Sequence, residues 1–124
     1  MRVLIADDEP LFAEALEHLL SGDERIEVVG RAADGLQAVE LVEKLGPDLV
    51  LMDLSMPGVD GFTATERIAG ASRDVRVLIL TGSEDPADVA KARRAGAAGY
   101  MTKDRIAEAL VDAILEAGSD GRRA

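Results

Sequence analysis

The segment PDLVLMDLSMPGVDG, Pro47 to Gly61, decides how the rest of the chain is read. It begins as an unbroken apolar run, Leu49 to Met52, bounded by the helix-stopping pair Gly46-Pro47. An apolar run this short, with no polar alternation, is the pattern of a strand buried on both faces. The run stops at a carboxylate, Asp53, and a turn carrying Pro57, Gly58 and Gly61 follows directly. In α/β proteins a buried strand that ends in a reactive side chain and a loop presents that side chain at the carboxyl edge of the sheet.

The same unit recurs on either side. Val3 to Ala6 (VLIA) reads as a strand ending at Asp7-Asp8-Glu9. Pro10 then suits a first helical position, where its missing N–H costs nothing. Leu11, Phe12, Ala15, Leu16, Leu19 and Leu20 form the stripe of a first helix, closed by Ser21-Gly22-Asp23. Ile26 to Gly30 reads as a second strand, and Leu36, Ala38, Val39, Leu41, Val42 and Leu45 as the stripe of a second helix. A third helix is expected from Gly61 to about Ala69, with a turn to Asp74. Val75 to Leu80 (VRVLIL) is a strand ending at Thr81-Gly82-Ser83. Asp85-Pro86 opens a fourth, alanine-rich helix that Gly96 stops. Ala97 to Met101 is a small fifth strand followed by Thr102-Lys103-Asp104, and a fifth helix is expected from about Arg105 to Ala117.

Short apolar strands alternating with helices require parallel pairing through right-handed crossovers. The expected fold is therefore α/β: a doubly wound, five-stranded parallel sheet with helices on both faces. In 124 residues this is one domain, spanning 1–117, with 118–124 a polar tail or the start of a linker. A hydrophobic fraction of 48% is ordinary for a globular chain and argues against disorder. A net charge of −10 and only 2% aromatic residues disfavour direct contact with nucleic acid or anionic lipid. No apolar run is long enough to span a membrane, there is no signal-peptide pattern, and there is no cysteine for disulfides or thiolate metal sites. A cytoplasmic location is the expectation from these features.

Ligands of doubly wound sheets bind beyond the carboxyl ends of the strands. Five chemically useful residues fall there: Asp7, Asp8, Asp53, Thr81 and Lys103. Singly, each is an ordinary cap, strand end or surface charge; together they form a site. Converging carboxylates repel unless a cation neutralises them, and a hard divalent ion, Mg²⁺ or Mn²⁺, suits oxygen donors. Asp8 and Asp53 are the expected direct ligands, Asp7 acting through water, with the backbone carbonyl of Ser55 as a further donor. A carboxylate beside a metal and a lysine is also a plausible phosphoryl acceptor. His18, beside Glu14 and Glu17, reads as a solvated surface residue.

Four ordered segments, DDE at Asp7 to Glu9, DLVLMDLSMPGVDG around Asp53, LILTGS ending at Ser83, and GAAGYMTKD at Gly96 to Asp104, resemble a receiver domain of two-component response regulators. The resemblance covers nearly the whole chain. It implies a flavodoxin-like (βα)5 sheet of strand order 2-1-3-4-5. It further implies Asp53 as the phosphoacceptor, with phosphate coming from a sensor histidine kinase, and Asp7 and Asp8 at a Mg²⁺ site. Lys103 would be the phosphate-binding lysine, and Thr81 and Tyr100 the switch pair. Ser55 and Ser83 would flank the path of the water that removes the phosphate. GYMTKD, with Asp104 in place of a proline, is similar to receivers of LuxR/NarL type, which normally precede a helix-turn-helix domain. Without that proline a cis bond after Lys103 would cost about 2.5–4 kcal/mol, so a trans bond and a looser loop are expected there.

The expected function is a phosphorylation-driven switch that reshapes the face of the fourth helix, fifth strand and fifth helix. Its outputs would be homodimerisation or control of an output domain, through which alone DNA would be engaged. Alternatives are a stand-alone receiver acting by protein–protein contact, an interaction module that no longer takes phosphate, and a metal-dependent phosphohydrolase. The last is disfavoured because the second acid such enzymes carry two residues after the nucleophile is here Ser55.

Overall fold

The structure, a computed structural model, describes residues 1–71, 74–82 and 85–120. Five strands and five helices alternate: β1 Arg2–Ala6, α1 Pro10–Ser21, β2 Glu27–Ala32, α2 Gly35–Leu45, β3 Leu49–Asp53, α3 Gly61–Ala71, β4 Arg76–Thr81, α4 Pro86–Ala95, β5 Gly99–Thr102 and α5 Ile106–Asp120. The strands form one parallel sheet in the order β2-β1-β3-β4-β5. β3 lies in the middle and every one of its residues is buried, as its unbroken apolar run requires.

The sheet divides the core in two. On one face Val3, Ile5, Leu49, Leu51, Leu78 and Leu80 pack against α1 and α5. On the other Leu4, Val50, Met52, Val77 and Ile79 pack against α2, α3 and α4. Strand alternation thus sends neighbouring residues of one run to opposite cores.

Local chemistry sets the helix starts. Asp34 accepts a hydrogen bond from the Gln37 backbone N–H at 2.8 Å, and Gln37 Oε1 accepts one from Ala33 N–H at 2.7 Å. This reciprocal exchange is close to a capping box. Asp60 accepts from Thr63 N–H at 2.8 Å at the head of α3. Asp85 accepts from Ala87 N–H at 2.9 Å ahead of Pro86. Gly96 ends α4 at φ +99°, a conformation a side chain rarely adopts.

Several expectations change. β2 extends to Ala32 and β5 begins only at Gly99. α3 continues to Ala71; residues 72 and 73 of the expected turn lie outside the described residues. α5 runs three residues past Ala117 to Asp120. Gly118 does not break the helix: it is buried, and a Cβ there would overlap the Met1 side chain. Leu11, Leu19 and Leu36 belong to apolar stripes by spacing, yet are 82%, 38% and 51% exposed. Leu11 and Leu36 lie at the rims of their stripes, and α1 meets the core through Ala13, Leu16 and Leu20, which leaves Leu19 outside it. The segment after Lys103 has a trans bond, as expected, but is no loose loop. Lys103–Arg105 form one 3-10 turn that runs straight into α5.

Candidate functional site

Asp7 directly follows β1 and Asp53 is the last residue of β3, and both are almost fully buried, 5% and 4% exposed. Asp8 is exposed beside them. Carboxylate oxygens of the three lie within 4.8 Å of one another. Lys103 reaches in from the turn after β5. Its Nζ is 3.2 Å from Asp53 Oδ1, 3.6 Å from Asp7 Oδ2 and 3.9 Å from Glu9 Oε1. The expected acids and the lysine are therefore brought together at one sheet edge.

The acids are not equally satisfied. Asp7 Oδ1 accepts the Glu9 backbone N–H at 2.8 Å. Asp7 Oδ2 is buried without a hydrogen bond. Burial pushes the Asp7 carboxyl above its ordinary range; the Glu9 N–H and Lys103 oppose this, and Asp53 adds to it. Burial works against the Lys103 charge, but the carboxylates of Asp53 and Asp7 outweigh it and hold the ammonium above its ordinary value. One lysine faces three carboxylates and leaves a buried Asp7 oxygen without a hydrogen bond. That donor set fits a hard divalent cation.

The β3–α3 loop is held against the site by close backbone approach. A Cβ on Gly61 would stand 2.5 Å from the Asp53 carbonyl oxygen and 2.9 Å from Leu54 Cα. A Cβ on Gly35, the first residue of α2, would overlap the Val59 carbonyl. Gly58 sits at φ +71°. Ser55 is exposed in this loop. With Thr81, Phe62 and Lys91 it lines an open cleft of about 410 Å³ beside the acids.

Thr81 ends β4 and is buried, paired in register with Thr102 on β5. Tyr100, two residues before Thr102, is half-buried and lines a groove of about 410 Å³ with Val89, Met101 and Arg105. Ser83 lies outside the described residues. Three participants were not singled out in the sequence: Glu9 beside Lys103, Gly35 under the loop, and Phe12. The Phe12 ring centroid is 4.3 Å from Lys103 Nζ. Glu9 was within view as part of the acidic triplet, whereas Phe12 carried only a core signal.

A five-stranded 2-1-3-4-5 sheet with three acids and a lysine at one carboxyl edge defines a class, and comparison agrees. The chain belongs to the response regulator receiver domain family, which it matches over residues 3–115. It is 39% identical over 121 residues to the transcriptional regulatory protein DegU of Brevibacillus brevis, covering 98% of this chain and 51% of that protein. It superimposes with a TM-score of 0.90 and 38% identity on the signal receiver domain of a protein named NarL from Mycobacterium tuberculosis, covering 94% of each chain. A LuxR-family two-component response regulator from Aurantimonas sp. SI85-9A1 gives a TM-score of 0.92 at 36% identity, over 96% of this chain and 85% of that one. The chain is thus a receiver domain similar to those of LuxR/NarL-type regulators, and it spans about half the length of the curated relatives it matches.

Proposed function

We propose that this receiver is switched by phosphorylation of Asp53. The observation that carries the reading is the 3.2 Å approach of Lys103 Nζ to Asp53 Oδ1 beside the cluster of three carboxylates. An Asp53 oxygen attacks phosphorus; the new O–P bond forms as the donor's bond to phosphorus breaks, giving an acyl phosphate. The donor is a phospho-histidine of a sensor kinase, whose ring nitrogen leaves and regains a proton. Lys103 balances charge on the phosphoryl oxygens, and the Thr81 hydroxyl donates to one of them. Asp7, Asp8, Asp53 and the Ser55 carbonyl would hold Mg²⁺ or Mn²⁺, which would neutralise charge at the acids and the phosphoryl group. The switch resides in the sheet and its five helices, α5 included to Asp120.

The output is a population shift. Thr81 moves toward the phosphate, Tyr100 repacks into the groove beside Val89, and the α4–β5–α5 face changes shape. That face serves a second copy of the chain or an output domain, through which transcription would be regulated in the cytoplasm. Ser55 and Ser83 flank the slow hydrolysis that resets the switch; beyond this self-reaction the chain is not an enzyme. Intrinsic fluorescence tests the switch pair, because the chain has one tyrosine and no tryptophan. Phosphorylation should change the Tyr100 emission of the wild type, and leave it unchanged in Thr81→Ala although Asp53 is still modified. Steady turnover of a phosphate ester would indicate a phosphohydrolase instead.

A further inference from the structure

The chain has two phenylalanines, and a lysine ammonium lies over each ring: Lys91 over Phe62 at 4.5 Å and Lys103 over Phe12 at 4.3 Å from the centroid. Aromatics this scarce are ordinarily spent on core burial. Phe12 does touch the core formed by α1, α5 and the sheet, but only in part; it remains half-buried, with Lys103 over its ring. Lys103 thereby meets the ring while its Nζ is 3.2 Å from Asp53.

We propose that Phe12 is a positioning residue for Lys103, an inference that rests on the phosphoacceptor reading above. A lysine head is a compact charge on a flexible four-carbon stem, and its direction must be set by its surroundings. Among the described residues, the charged groups paired with Lys103 are the carboxylates of Asp53, Asp7 and Glu9. Two of them belong to the acidic cluster, where a bound cation or phosphate rearranges the charge balance. The Phe12 ring differs in kind. Its negative face attracts the ammonium without taking its proton or engaging it in an ion pair. It is anchored by the core, so it offers Lys103 the same contact before and after a phosphoryl group arrives. The charge of Lys103 is thus held near Asp53 while remaining available to the phosphoryl oxygens. Leucine in place of Phe12 keeps the apolar contact and the helix propensity but removes the quadrupole.

The test compares wild type, Phe12→Leu, Phe12→Tyr and Lys103→Ala by calorimetric titration, first with Mg²⁺ alone and then with beryllofluoride, a phosphoryl mimic, in saturating Mg²⁺. Phe12→Leu is expected to weaken beryllofluoride binding roughly threefold to thirtyfold, the range of a partly desolvated cation–π contact, and to change Mg²⁺ affinity by clearly less than that. Phe12→Tyr should bind both as wild type does, and Phe12→Leu should add nothing to the loss in a Lys103→Ala background. Wild-type beryllofluoride affinity in Phe12→Leu, with Lys103→Ala impaired, would overturn the role of Phe12. So would an equal loss of Mg²⁺ and beryllofluoride, or failure of Phe12→Tyr to rescue. Wild-type behaviour of Lys103→Ala would overturn the underlying reading of the site as well.

Discussion

Asp7 carries a stability cost within the candidate site. Burial raises its carboxyl pKa above the ordinary 3.8. An acid whose pKa is higher folded than unfolded is destabilising when ionised. That cost is present in full above the folded value and fades as the pH falls through it toward the unfolded one. The metal-free chain carries this cost at neutral pH, and Asp7→Asn should remove it. In chelator, the urea midpoint of Asp7→Asn is expected to exceed that of wild type near pH 7, with the gap closing as the pH drops toward 3.8. The same variant should lose most of its Mg²⁺ affinity; a constant gap across the pH range would contradict the account. Lys103 behaves oppositely. Its raised value makes a stabilising contribution that persists through neutral pH and is lost only as the pH climbs past the ordinary lysine range. The three acids, Thr81 and Lys103 were legible in the sequence because strand ends mark one edge of a parallel sheet. The contacts of Phe12 and Glu9 with Lys103 were not, because they depend on how α1 leans over the turn after β5.

At the scale of elements, the site depends on how α2 and α3 grip the loop after β3. Gly61→Ala forces a Cβ against the Asp53 carbonyl and Leu54. It is expected to destabilise the chain by about 1–3 kcal/mol, as overpacking does, and to weaken Mg²⁺ binding by displacing the loop; denaturation and metal titration on one preparation check both. Asp34→Ala is the contrasting case. It removes the cap on Gln37 N–H and should cost about 1 kcal/mol while leaving phosphorylation of Asp53 intact. Segment order and element type were legible from periodicity, but ends were less so. Gly118 reads as a helix stop by composition, yet α5 passes through it because the missing side chain makes room for Met1. Leu11 and Leu36 fit a 3.6-residue stripe and are still exposed, since spacing cannot say how wide a face the core covers.

For the whole molecule, the parallel alternation specified the doubly wound class, while the strand order 2-1-3-4-5 came from resemblance and is the order the sheet adopts. That order makes β3 central, between β1 and β4, so Asp53 sits next to the end of β1, which Asp7 follows, and opposite Leu80, the residue before Thr81. The sheet thereby gathers residues from the ends of β1, β4 and β5 around the carboxylate that ends β3, and the proposed switch rests on that carboxylate being modified. The direct measurement is intact mass after incubation with a small-molecule phosphodonor and Mg²⁺. The wild type is expected to gain a single phosphoryl group, one that Asp53→Ala does not acquire and that chelator prevents. No adduct on the wild type, or the same adduct on Asp53→Ala, would contradict it.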